Sequence, residues 1–268
     1  MKCVRIIFLI GVSCFLYSCA GGVAVFHSGP ETRPIKATAL KYVNEGNSYA
    51  QQGKYELAIE SYKEAIRIDP NWTEAHINLG AVYAQKEAYA LAIASYKAAI
   101  AIDPNAVDAY FNLGFAYFGQ NEYDLAVDSF KVAIDINPDD AETHYSLGLA
   151  HFLRDDTESA IASYKEATRI NPNLAEAHYS LGIAYAKQGD NELAIESYKA
   201  AVRIHPNNAH AHYNLAAMYA SRNEKNSAVE SLQKAVALDR NYIDKSKRNS
   251  AFDDIRSTPE FQRLINFQ

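Results

Sequence analysis

The sequence predicts an all-α solenoid in which six stacked helical hairpins are followed by a helical cap. Three observations predict it. Pro70, Pro104, Pro138, Pro172 and Pro206 recur every 34 residues. Gly46, Gly80, Gly114, Gly148 and Gly182 keep the same interval, with Ala216 in the sixth place. Two alanine columns run in phase with them, Ala58 to Ala228 and Ala65 to Ala235. Self-similarity at this period marks a stacked-repeat architecture, whose units are each too small to bury an apolar face alone.

The fifth unit, Ala175 to Asn208, shows how each element arises. His178, Leu181, Gly182 and Tyr185 stand at i, i+3, i+4 and i+7, one face of a first helix. Gly189-Asp190-Asn191 is a turn in which glycine reaches the left-handed conformation that ends helices. Ala194, Tyr198, Ala201 and Val202 repeat the stripe and define a second helix. His205-Pro206 stops it, because proline lacks the amide hydrogen and clashes with the preceding turn. The glycine and alanine columns are read as places where two backbones approach closely, with the tyrosines filling the gaps around them.

These residues resemble the tetratricopeptide repeat family, whose pattern is matched by His178, Leu181, Gly182, Tyr185, Ala194, Tyr198, Ala201 and Pro206. The resemblance gives six repeats, at 39–72, 73–106, 107–140, 141–174, 175–208 and 209–242. It implies a right-handed superhelical solenoid. Departures are local: Glu45 replaces the leucine, His151 the first tyrosine, and Leu232 and Arg240 the second aromatic residue and the proline of the last repeat.

The ends differ from the middle. Residues 1–18 read as a secretion signal of lipoprotein type, with Lys2 and Arg5 ahead of the apolar run Ile6–Leu16. That run is too short to span a bilayer as a helix, which takes about 20 residues. Leu16-Tyr17-Ser18-Cys19 resembles a bacterial lipobox, which implies acylation of Cys19 and, with Ala20 after it, sorting to the periplasmic side of the outer membrane. Other readings stay open: an ordinary cleavage site at Ser18-Cys19-Ala20, with a periplasmic product; modification at Cys14; or an uncleaved inner-membrane anchor. Residues 19–38, with Gly21-Gly22, Gly29-Pro30 and Pro34, read as the attachment cysteine and a semi-extended tether. Residues 243–268 read as a capping segment through Phe252, Ile255, Phe261, Leu264 and Ile265, with Thr258-Pro259 as a helix start. The basic cluster Lys245, Lys247 and Arg248 reads as solvated surface.

Composition limits the chemistry. In 268 residues, 26 Lys and Arg against 32 Asp and Glu leave a net charge of −6, without the basic face a nucleic-acid partner requires. All three cysteines fall within the first 19 residues, so the repeats have no thiolate nucleophile and no cysteine metal site. His76, His144, His178 and His212 share one repeat position and read as packing residues, since metal ligands on a helix stand at i, i+3 or i+4. His205, His210 and His212 straddle a turn without an obvious carboxylate partner. No phosphate loop or nucleophile motif is present. The reading is non-enzymatic, with neither metal nor cofactor; the alternative is a hydrolase hidden in the groove, for which the sequence nominates no residues.

By the resemblance, first helices line a concave groove. The column facing it is Asn44, Asn78, Asn112, Ser146, Ser180 and Asn214. Amides both donate and accept, so such a ladder suits the peptide groups of an extended partner segment. It resembles the asparagine ladder of the peptide-binding repeats of O-linked N-acetylglucosamine transferase. A second reading is that these small polar residues only cap or solvate the helix. Phe111, Phe115 and Phe118 in repeat three and Tyr145, Leu149 and Phe152 in repeat four fall in neighbouring columns, as a binding hot spot or as inter-repeat core. The places where chaperone-binding members of the family clamp a carboxylate hold Val43, Asn47, Asn78, Asp108 and Asn112, without cations. Glu74, Asp108, Glu142 and Glu176 stand near the groove mouth, favouring a basic or neutral ligand, or serving the helix dipoles. The expected function is a scaffold recruiting other proteins at the cell envelope, by analogy of build with pilotins of type IV pili and outer-membrane assembly factors. The sequence carries no sign of an oligomeric state.

Overall fold

The computed structural model describes residues 32–266, which are helical in fifteen α-helices and one 3₁₀ turn, with no strand among them. The signal segment, Cys19 and most of the tether lie outside the described residues. The chain forms two compact units, one ending at Ala106 and the other running from Val107. The first unit holds α1 (Thr32–Gln51), α2 (Tyr55–Ile68), α3 (Thr73–Gln85) and α4 (Tyr89–Ile102). The second holds α5 (Val107–Gly119), α6 (Tyr123–Ile136), α7 (Ala141–Leu153), α8 (Thr157–Ile170), α9 (Ala175–Gln188), α10 (Asn191–Ile204), α11 (Ala209–Ser221) and α12 (Lys225–Leu238). It ends in α13 (Asn241–Arg248), the 3₁₀ turn Ser250–Phe252, α14 (Asp253–Arg256) and α15 (Pro259–Asn266). Consecutive helices pack as pairs, α1 on α2 through α11 on α12, and within each unit every second helix also packs on the next first helix.

Helix α1 begins at Thr32, so residues 32–38, expected as tether, are helical. Pro34 does not prevent this, because the amides of a first turn have no intrahelical acceptor to lose.

Each second helix buries one stripe, as in Ala194, Ser197, Tyr198 and Ala201 of α10. The serine of that stripe is a further column of the 34-residue period, beside those of glycine, alanine and proline. Ser61, Ser95, Ser129, Ser163 and Ser197 donate to the carbonyls four residues back, at 2.7–2.9 Å. Those bonds satisfy hydroxyls that burial would otherwise strand.

The glycine column has a different cause from the expected one. A Cβ built on Gly46, Gly80, Gly114, Gly148 or Gly182 would lie 2.5–2.6 Å from a ring carbon of Tyr62, Tyr96, Phe130, Tyr164 or Tyr198. What approaches the glycine is an aromatic ring from its own hairpin, not a second backbone. Burial pushes the hydroxyls of Tyr62, Tyr96 and Tyr198 far above the ordinary phenol range, so they stay protonated.

Turns close in one way throughout. Gly53, Glu87, Asn121, Asp155, Gly189 and Asn223 all take positive φ. The next residue then donates back to the last turn, as Asp190 N–H does to Tyr185 O at 3.0 Å, a Schellman closure. Between repeats, the shared histidine donates from Nε2 to the carbonyl of the proline six residues before it. The pairs are His76–Pro70, His144–Pro138, His178–Pro172 and His212–Pro206, at 2.9–3.0 Å. These histidines fasten the turn.

The segment after α12 covers the last hairpin. Phe252, Ile255 and Phe261 are fully buried against Ala216, Ala217, Ala220, Ala228, Val229 and Leu232, with Leu264 and Ile265 alongside. Thr258 Oγ1 accepts from Phe261 N–H at 3.3 Å at the start of α15. The neighbouring cations are engaged on the surface: Lys245 lies 4.2 Å from the Tyr242 ring centre and Lys247 3.7 Å from Asp244.

Candidate functional site

The first helices of each unit carry the residues nominated from the sequence, and the structure sorts them. Phe111 is buried at 8% exposure, while Phe115 stands 40% exposed. The two rings meet edge to face at 4.8 Å, and Phe115 meets the core ring of Phe130 at 5.4 Å in the same manner. Phe111 is thus part of the core, since its helix position turns it onto Phe130, also at 6.0 Å. Phe115 is an open apolar surface resting on a fixed base. Phe118 is half-buried against Tyr123 at 5.4 Å.

Tyr145, Leu149 and Phe152 are half-buried and pack on the cluster that includes Ala160, Tyr164 and Leu181, so they serve the joint between adjacent hairpins while keeping part of their surface. Tyr145 rests on Tyr164 at 5.9 Å, as Tyr179 does on Tyr198 at 5.8 Å. Lys187 from the next hairpin reaches over Phe152, 4.7 Å from its centre, and pairs with Asp155.

The polar row is not continuous. Asn44 is exposed, Asn78, Asn112 and Asn214 are half-buried, and Ser146 and Ser180 are buried. Ser146 turns back to donate to Glu142 O at 2.8 Å. Ser180 is engaged with the hydroxyls of Tyr145 and Tyr164. Asn214 donates to the Tyr179 hydroxyl at 3.2 Å, and Asn249 repeats the bond to Tyr213 at 3.0 Å. In the first unit Asn47 Oδ1 accepts from both Tyr62 (2.7 Å) and Asn78 (3.0 Å). Asn78 in the first unit and Asn214 in the second thus tie one hairpin to the next, a role the sequence alone did not suggest, and the asparagines keep further donors and acceptors for a ligand.

Acids stand on the same helices. Partial desolvation, with Asp140 and Glu176 nearby, raises the pKa of the Glu142 carboxyl, although the residue is exposed. A cation seated there would relieve that crowding. Val43, one of the clamp places, is buried at 1%. His210 meets Tyr242 edge to face at 5.8 Å, and burial lowers its pKa. Among the described residues no three His, Cys, Asp or Glu gather as a metal site, and no helix is long and apolar enough to cross a membrane.

Comparison with known proteins agrees with this geometry. The family described as TPR repeat matches residues 46–87, 82–121, 116–155, 152–189 and 184–221, and that described as tetratricopeptide repeat matches 209–242. No curated protein matches the chain. Among solved structures, a MamA protein is similar at 30% identity and a TM-score of 0.59, over 65% of this chain and 94% of that one. YrrB, a TPR protein with an unusual peptide-binding site, shares the fold at 24% identity and a TM-score of 0.60, over 70% and 99%. PilF of Pseudomonas aeruginosa does so at 19% and 0.68, over 83% and 98%. With its repeats matched from residue 46 to 242 and the first five hairpins closed by the same glycine and ring contact, the chain belongs to the tetratricopeptide repeat family.

Proposed function

We propose that this protein is an interaction scaffold that holds an extended segment of another protein along the face of its first helices. The observation that carries the proposal is Phe115, a 40% exposed ring braced edge to face by two others. A preorganised aromatic anchor binds at low entropic cost. The half-buried Phe118, Tyr145, Leu149 and Phe152 extend the apolar surface, and Asn112 and Asn214 supply amides for peptide groups. Glu142 and Glu176 favour a basic or neutral segment over an acidic one. YrrB, a protein of this fold, has an unusual peptide-binding site, which supports the ligand class. The proposal assigns the chain no reaction of its own.

The same proposal places the scaffold at the bacterial envelope, anchored through a lipidated Cys19 on the periplasmic side of the outer membrane. The lipobox-like Leu16–Cys19 supports this, and two or three acyl chains hold a protein stably where one does not. Mass spectrometry of the mature N-terminus tests it: a tri-acylated Cys19 supports the anchor, and an intact Met1 removes it.

A panel of labelled extended peptides of basic, neutral and acidic composition tests the binding. Basic and neutral members should bind, and Phe115→Ala should weaken them at least about tenfold, the loss of one hot-spot residue. Thermal unfolding is followed in parallel. Stability lost with binding intact would return Phe115 to the core and end the proposal.

A further inference from the structure

On the other side of the second unit, a cavity of about 900 Å³ lies between α10 and α12, with α11 behind it. Val202, Leu215, Tyr219 and Leu238 supply its apolar surface, and Lys199 and Arg203 stand on the α10 wall. The other second helices differ at its lining: a leucine stands at the place of Ser227 in four of them, Leu57, Leu91, Leu125 and Leu193, and a serine, Ser159, in the fifth. Between α2 and α4, the corresponding places hold Leu91 and the pair Glu64–Arg67; between α8 and α10 they hold Leu193 and the pair Glu166–Arg169. Between α10 and α12 the leucine is replaced by Ser227 and the glutamate by Ala200. Arg67 and Arg169 are each held by two or more hydrogen bonds to their glutamates. Arg203 keeps the arginine without the acid, and its side chain has no ion pair or hydrogen bond among the described residues.

We propose that this cleft binds a helical segment of a partner protein carrying an acidic residue beside a leucine-like one. The groups that are missing set the chemistry. A guanidinium fork without its carboxylate selects a bidentate acid. Apolar walls beside Ser227, where most other second helices carry a leucine, leave room for an aliphatic side chain. The lining runs from Ser227 to Leu238 along α12, about 16 Å at the helical rise, or three turns of a docked helix. Of the other charges lining it, Glu230 is already paired with Lys234. Glu196 stands one turn before Lys199 on α10, so the uncommitted cations outnumber the uncommitted acid. This surface is separate from the face of the first helices and would let the scaffold hold two partners at once.

The test uses the full chain and a fluorescein-labelled helical peptide of about fourteen residues, with leucines along one face and glutamates beside them. Two control peptides replace glutamate by glutamine or leucine by alanine. Fluorescence anisotropy should show saturable binding of the first peptide, at least about tenfold weaker for either control. Arg203→Ala, Ala200→Glu and Ser227→Leu should each weaken it about tenfold or more. The last two install residues that other hairpins carry at those places, so melting temperatures should hold. Phe115→Ala should leave this peptide bound, which separates the cleft from the first-helix face. The proposal is overturned by absence of saturable binding, by equal binding of the glutamine peptide, or by insensitivity to Ala200→Glu and Ser227→Leu. A dimer in sedimentation that those two variants disperse would make a second copy of the chain the occupant and overturn it equally.

Discussion

In the fifth hairpin the ring of Tyr198 lies on the Cα of Gly182, so close that a methyl group there would sit 2.6 Å from the ring. In the sixth, Ala216 and Leu232 occupy the same two places, both fully buried in one cluster. A large flat side chain needs a bare backbone beneath it, whereas a branched aliphatic chain leaves room for a methyl. The two columns are therefore one packing decision taken together. A change from glycine to alanine is tolerated where the ring has also gone. The hairpins differ as well in their C-terminal neighbours: the fifth is covered by another repeat, the sixth by α13 to α15.

The largest effect should come from removing that substitute neighbour. Phe261 is completely buried against the sixth hairpin, and Phe261→Ala should cost about 3–5 kcal/mol. In a stack stabilised by nearest-neighbour contacts, the loss falls first on the adjacent unit. Hydrogen exchange should show α11 and α12 losing protection ahead of α9 and α10. Equal loss in all four helices would mean that the two hairpins open as one unit.

Next in size is the packing exchange itself. Gly182→Ala forces the Tyr198 ring out of place, at about 1–3 kcal/mol from overpacking, partly offset by about 1 kcal/mol of helix propensity. Adding Tyr198→Leu should recover most of the loss, because the double variant reproduces the pair found in the sixth hairpin. Denaturant unfolding of both single variants and the double one measures the coupling. Additive losses would show that the sixth hairpin tolerates alanine for some other reason.

Much of this is legible in the residues. The period places each hairpin, and each helix stripe names its buried face, because both depend on local spacing. The cause of the glycine column is not legible in the same way, since spacing says that Gly182 is small and Tyr198 large but not that one lies on the other. The histidine column suggests packing by its position alone, yet four prolines at a constant distance before it are the sign of a hydrogen bond to a turn. Ser146 and Ser180 look like Asn112 because they share its column. Their burial comes from their own short reach, back to Glu142 or onto the Tyr145 and Tyr164 hydroxyls, which a one-dimensional pattern does not encode. Pro34 has the look of a linker residue, but its place in a first turn lets the helix run through it.

The smallest test concerns the turns of the same two hairpins. Gly189 closes the fifth with φ of +91°, and Asn223 closes the sixth with φ of +59°. Both turns make the same backbone bond, from Asp190 to Tyr185 and from Glu224 to Tyr219, with the left-handed residue at the same place. A Cβ added at Gly189 meets nothing within 4 Å. Gly189→Ala is therefore a test of backbone strain without steric contact, and should cost about 1 kcal/mol. Asn223→Gly should gain a few tenths of a kcal/mol at most, since asparagine already tolerates this conformation and glycine makes the unfolded chain freer. Urea unfolding with an unchanged slope would report both as shifts of midpoint. If Gly189→Ala proved as mild as Asn223→Gly, the left-handed residue would not be what limits the turn, and the Schellman bonds shared by the two hairpins would have to carry it.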